Sequence, residues 1–174
     1  MGTARAFFFC MGATKAGTTW LHDQLAAHPD CHLRTIKEYH YFSTNSDAQW
    51  AKMIADTRSE IAQISAIPMN DRSPYQRQRL DDLTSWLPMI TPRKADAAAF
   101  AQYLLDGAAA HAPNAHLMGD FTPAYSVIQG KLLEPILQMG GIGGAAVKVV
   151  YLLRDPLDRL WSHIRMTAAR MAPD

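Results

Sequence analysis

The 174-residue sequence predicts an α/β fold, a parallel sheet flanked by helices, and three observations lead there. A short apolar run from Ala6 to Met11 ends at Gly12 and gives way to helical spacing. A second run, Val147 to Leu153, is nearly continuous and is also followed by helical spacing. Between them, positions 46 to 113 carry helical periodicity alone. Strands alternating with helices are the pattern of a parallel sheet, whose crossovers cover its faces.

The elements follow in order. Ala6 to Met11, rich in Phe, suits a buried first strand. It is too short to span a membrane, and a signal peptide would remove the glycine loop that follows it directly. Met1-Gly2 opens like a myristoylation site, but position 6 is Ala rather than Ser or Thr. Thr18 to His28 is predicted helical, with Trp20, Leu21, Leu25 and Ala26 on one apolar stripe and Pro29 as its stop. Cys31 to Leu33 reads as a short second strand. Ala48 to Ile64 is an amphipathic helix with Trp50, Met53, Ile54 and Ile61 as its apolar set. Gln76 to Trp86 is the next, with Pro88 and Pro92 breaking the chain after it. Asp96 to His111 is a third, capped near Asp96.

These three helices carry no chemical motif and read as a packing or substrate-facing insert. Leu117 to Phe121 is a further short strand, and Ser126 to Met139 is helical despite Pro135. Gly140 to Gly144 is a flexible connector. Val147 to Leu153 is the clearest strand, expected to be buried, and Leu157 to Met171 is the last helix. With no internal repeat and no low-complexity linker, residues 1–174 form one domain with a helical insert at about 46–113.

Composition narrows the partners. With 48% hydrophobic and 19% charged residues, the chain suits a globular domain with a sizeable core. A net charge of +1 gives no reason to expect nucleic-acid binding, so any anion must be held by local arrangement. Cys10 and Cys31, the only cysteines, have no metal-site or disulfide spacing, and Cys10 is expected to be a buried hydrophobe. A reducing, cytoplasmic compartment follows.

The local arrangement is Gly12-Ala13-Thr14-Lys15-Ala16-Gly17-Thr18-Thr19-Trp20. A glycine-rich turn between a strand and a helix presents backbone N–H groups at the helix's positive end and binds phosphate or sulfate there. Gly12 and Gly17 permit the tight path, Lys15 adds a cation, and the Thr18 and Thr19 hydroxyls lie in the first turn. The ordinary nucleotide-kinase loop has its Lys immediately after the second glycine. Here position 18 is Thr and the Lys comes three residues earlier, out of register with that magnesium-binding design.

Three separated segments together resemble the sulfotransferases that use 3′-phosphoadenosine 5′-phosphosulfate (PAPS) as donor and release PAP. The first is Gly12 to Leu21, similar to the family's 5′-phosphosulfate loop. The second, Lys37-Glu38-Tyr39-His40-Tyr41-Phe42, is similar to a Lys-Glu-x-x-Phe-Phe segment of the glycan-modifying, heparan-type branch. The third runs from Tyr151 through Arg154-Asp155-Pro156 to Ser162 and resembles the 3′-phosphate strand–turn–helix.

The resemblance implies a P-loop-type parallel sheet, with Gly12, Ala13, Thr14, Lys15, Ala16, Gly17, Thr18, Thr19 and Trp20 on the 5′-phosphosulfate. It implies Arg154 and Ser162 on the 3′-phosphate, and no metal. A fixed guanidinium at a strand end suits bidentate phosphate recognition, and Ser162 lies about two helical turns on. Arg159 fits either a surface ion pair or a phosphate neighbour.

The resemblance further implies a hydroxyl (or amine) acceptor, a small molecule or glycan, and a general base near the loop. By resemblance to the glycan-type enzymes Glu38 is the expected base, whereas the small-molecule branch uses a His, which makes His40 the competitor. Lys37 could touch the sulfuryl group or the acceptor. Asp120 to Tyr125 partly matches an acceptor-reading segment, with Phe121 where heparan-type members carry Lys; Thr122 and Pro123 would equally serve as a helix N-cap and N1. Related enzymes continue past the equivalent of Asp174 with a strand and a Gly- and Lys/Arg-containing loop over the nucleotide, so the resemblance implies a C-terminally truncated form. A P-loop kinase and a non-catalytic nucleotide-binding fragment are the other readings.

Overall fold

A computed structural model describes residues 4–127, 130 and 133–171. Its core is a four-stranded, all-parallel sheet in the order β2-β3-β1-β4, formed by β1 (Ala6–Cys10), β2 (Cys31–His32), β3 (Leu117–Asp120) and β4 (Ala146–Val150). The helices are α1 (Thr18–Ala26), α2 (Asp47–Ser65), α3 (Pro74–Ile90), α4 (Ala97–His111), α5 (Glu134–Gln138) and α6 (Pro156–Met171). The α/β parallel architecture expected from the sequence is the one observed. Among the described residues no helix is long and apolar enough to cross a membrane.

Strand alternation in β1 assigns the two faces of the sheet. Phe7 and Phe9 point to one side, where α2, α3 and α4 bring Trp50, Trp86, Phe100 and Tyr103 into one aromatic core with Tyr39, Tyr41 and Phe42. Phe8 and Cys10 point to the other side and pack with Phe121 against Leu21 and Leu25 of α1. The helical insert therefore covers one sheet face, together with Ile136 and Met139 from the region of α5. Its attachment includes a buried ion pair, in which Arg34 Nη1 donates to Asp82 Oδ1 at 2.8 Å while the Thr35 amide and hydroxyl both donate to Asp82 Oδ2 at 2.7 Å.

Several expectations need correction. Trp20 is 67% exposed and belongs to no apolar stripe; of the expected set, Leu21 and Leu25 pack against the sheet. Pro88 lies inside α3 rather than after it. The lost hydrogen bond is tolerated because the continuing turn buries Ile90 completely beside Trp86. Where one helix was expected over Ser126 to Met139, a 3₁₀ turn covers Pro123–Val127 and α5 begins with Pro135 in its first turn. Residues 128–129 and 131–132 of that span lie outside the described ones. The glycine connector contains a 3₁₀ turn over Ile142–Gly144, closed by the Gly141 amide donating to the Ala145 carbonyl at 2.8 Å.

The strand expected to be buried is an edge. Among the described residues β4 pairs with β1 alone, and Val149, Tyr151 and Leu153 are largely exposed. An apolar run signals a strand but not the number of its neighbours. The helix after it, α6, contains no buried residue.

Candidate functional site

The loop after β1 is pinned at its start and open at its end. The Met11 amide donates to the Val150 carbonyl, the Leu152 amide to the Gly12 carbonyl, and the Ala13 amide to the Leu152 carbonyl, so pairing with the β4 strand continues past both strand ends. Gly12 has φ +136°, and a Cβ there would meet Ser126 Cβ at 2.8 Å. Gly17 takes the left-handed conformation at the N-cap of α1. The first helical bond is Leu21 N to Gly17 O, which leaves the amides of Thr18, Thr19 and Trp20 without intrahelical acceptors. Two loop amides are already committed, however: Ala13 to Leu152 and Ala16 to the Ala13 carbonyl. Those two residues shape the loop rather than offer N–H groups.

Arg154, just past β4, donates from Nη1 to the Lys15 carbonyl at 3.3 Å. It makes only a long contact of 3.9 Å with Asp158. Asp155 is occupied otherwise, accepting from the Leu157 and Asp158 amides as the cap of α6. A cavity of about 470 Å³ brings Thr14, Lys15, Gly17, Thr18 and Thr19 together with Arg154 and Ser162. Glu38 lines the same cavity. Trp20 contributes no side chain to that lining, and Arg159 faces a separate hollow with Thr14, Leu160 and His163.

The segment carrying Glu38 is held rigidly from below. Asp120 is fully buried and accepts from the Thr122 hydroxyl at 2.6 Å and the Tyr125 hydroxyl at 2.8 Å. Those two oxygens in turn accept from the backbone amides of His40 and Phe42. Burial pushes the Asp120 carboxyl up to about 6, against the pull of its two hydroxyl donors. Asp120, Thr122 and Tyr125 are thus a buried brace for residues 39–42, not a surface that reads an acceptor. The Thr122 hydroxyl is committed to that brace.

Above the brace, Glu38 Oε2 and His40 Nε2 lie 3.4 Å apart. Their hydrogen bond lowers the Glu38 pKa and raises that of His40. His40 adopts φ +53°, a left-handed conformation that residues other than glycine rarely take. Lys37 Nζ donates to the Thr19 hydroxyl at 2.5 Å, joining this segment to the glycine loop.

A family model described as "Sulfotransferase family" matches residues 8–173, nearly the whole chain. The chain belongs to the sulfotransferase family. No curated protein and no solved structure matches it. The cleft also contains Met166 and Arg170, which the sequence reading passed over. Both follow Ser162 at intervals of four and lie on its face of α6, so helical spacing from Ser162 would have found them. Lys15 Nζ lies 3.8 Å from the Met166 sulfur. One acidic and histidine cluster stands apart from the cleft lining: Asp81, Asp82 and His111 gather within 4.8 Å. Their contacts are internal, Asp82 to Arg34 and Asp81 to His111 at 3.0 Å.

Proposed function

We propose that this protein transfers a sulfuryl group from PAPS to a hydroxyl (or amine) acceptor. The observation that carries the reading is one cleft in which Lys15 and the loop amides face Arg154 and Ser162, with Glu38 in the same lining. Two anion-holding sets in one cleft fit a nucleotide with phosphate groups at two positions, 5′ and 3′. Arg170 adds a third cation to that fit.

PAPS, when bound, supplies an activated sulfuryl group on a phosphate leaving group. The amides of Thr18 and Thr19 and the Lys15 ammonium hold the 5′ end and offset charge that develops on the leaving oxygen. Arg154 forks onto the 3′-phosphate, with Ser162 donating beside it. Glu38 accepts the acceptor's proton as the new S–O bond forms, and protonated His40 keeps the carboxylate oriented until then. A magnesium-dependent kinase reading has less support: Lys15 precedes the second glycine, and Glu38 is the one carboxylate among the described residues lining the cleft.

The test supplies sulfur-labelled PAPS with a panel of hydroxylated and amine acceptors, alongside calorimetry with PAP and with ATP plus Mg²⁺. Label transfer and PAP binding are expected. PAP binding with no transfer to any acceptor would favour a non-catalytic nucleotide-binding protein, and ATP preferred over PAP would favour a kinase.

A further inference from the structure

Glu38 lines two cavities. One is the cleft that holds Lys15 and Arg154; the other, of about 380 Å³, lies between the Ile36–Thr44 segment and helices α2 and α3. A carboxylate shared by both places the second cavity where an acceptor would present its nucleophile. Its volume is in the range of small-molecule sites.

Charge distinguishes the two cavities. In the first, Lys15, Arg154 and Arg170 face Glu38 alone. In the second, Lys52 and Arg79 are each matched by a carboxylate of the same lining. Lys52 Nζ contacts Asp56 at 2.5 Å. Arg79 makes a two-pronged pair with Glu60 at 2.7 and 2.8 Å. His40 is matched by Glu38 in the same way. The remaining lining is uncharged, with Ile36, Met53, Leu83 and Trp86 as its apolar part and Ser43, Thr44, Gln49 and Thr57 as neutral polar groups.

An anionic acceptor would find no unpaired cation there and would meet three carboxylates. A neutral acceptor with an apolar body would meet no such repulsion.

Resting on the sulfuryl-transfer reading, we propose that the acceptor is an uncharged, amphipathic small alcohol or phenol. Asp56 and Glu60 are its specificity determinants, excluding anionic acceptors by neutralising Lys52 and Arg79.

The test compares a neutral phenol with its carboxylated analogue. Binding to the PAP-loaded protein is followed by Trp86 fluorescence, with a Trp86→Phe control, and label transfer is measured in parallel. The neutral compound should bind more tightly than the carboxylated one. Asp56→Asn and Glu60→Gln should each improve the carboxylated compound relative to the neutral one by about two- to fivefold. Because Asp56 is well exposed, its variant keeps the test intact if Glu60→Gln folds poorly.

Equal or tighter binding of the carboxylated compound, or a ratio unmoved in both variants, would overturn the proposal. The donor reading fails separately, by loss of PAP binding in the same calorimetry; acceptor binding without PAP then still decides the charge preference.

Discussion

Glu38 Oε2 stands 3.4 Å from His40 Nε2, so the two candidate bases are partners. Their shifts fix a pH window. The raised His40 pKa means its stabilising contact is complete below the ordinary 6.5 and is lost as pH rises through the raised value. The lowered Glu38 pKa means its share is complete above the ordinary 4.5 and is lost as pH falls through the lowered value. Within that window Glu38 is an anion and His40 a cation, which leaves Glu38 as the group able to take a proton. Glu38→Gln should lower kcat by about 10²–10⁴-fold with PAP affinity kept, while His40→Gln should cost far less. A pH–rate profile of both variants checks this, and a larger loss in His40→Gln would transfer the role.

Lys15→Ala should abolish transfer and leave thermal unfolding unchanged, since the Lys15 ammonium's recorded contact is with the Met166 sulfur at 3.8 Å. Single-turnover assays and a melting curve check the two halves. Transfer surviving at the wild-type rate would remove the loop from the chemistry.

For Arg154→Ala the expected loss is selective. PAP should bind ~10- to 100-fold more weakly, the scale of a lost charge-assisted hydrogen bond. A nucleotide lacking the 3′-phosphate should bind the variant and the parent equally, as calorimetry with the two ligands will show.

Asp82→Ala should destabilise the protein by about 3–5 kcal/mol, because it leaves the buried Arg34 guanidinium without its anion. Denaturant unfolding measures this. A change below about 1 kcal/mol would mean that Arg34 finds another partner.

Asp120 gives a slope rather than an offset. Its carboxyl, raised from 3.8 to about 6, binds more protons folded than unfolded, so it lowers stability as pH rises through that interval. Asp120→Asn should remove this contribution, so stability at about pH 7 relative to about pH 4 should be higher in the variant than in the parent, as unfolding curves on either side of that interval will show.

Much of this was legible in the sequence because the signals are local. Phe7 to Cys10 with Gly12 announced a strand and a turn, and Asp96 caps the helix that follows it. What escaped depends on partners distant in sequence. Nothing near Val149 says that β4 pairs with β1 alone among the described residues, and nothing near Asp120 says that its hydroxyl donors support His40 and Phe42. Arg170 was missed for want of following the face of α6 beyond Ser162, and Trp20 misled because an aromatic in helical register is ordinarily buried. The charge matching by Asp56 and Glu60 is invisible until α2 and α3 are packed together.

The helix α6 supplies Ser162, Met166 and Arg170 to the cleft, yet it buries none of its own side chains. On the proposed reading, an anion spanning the cleft would bridge Arg170 and Ser162 to the glycine loop. Occupancy and order of α6 would then be linked quantities: a nucleotide bridged in this way would tighten the helix by mass action. Amide exchange along Pro156–Met171 should slow when PAP is added, while exchange in the aromatic core beneath the sheet stays as it was.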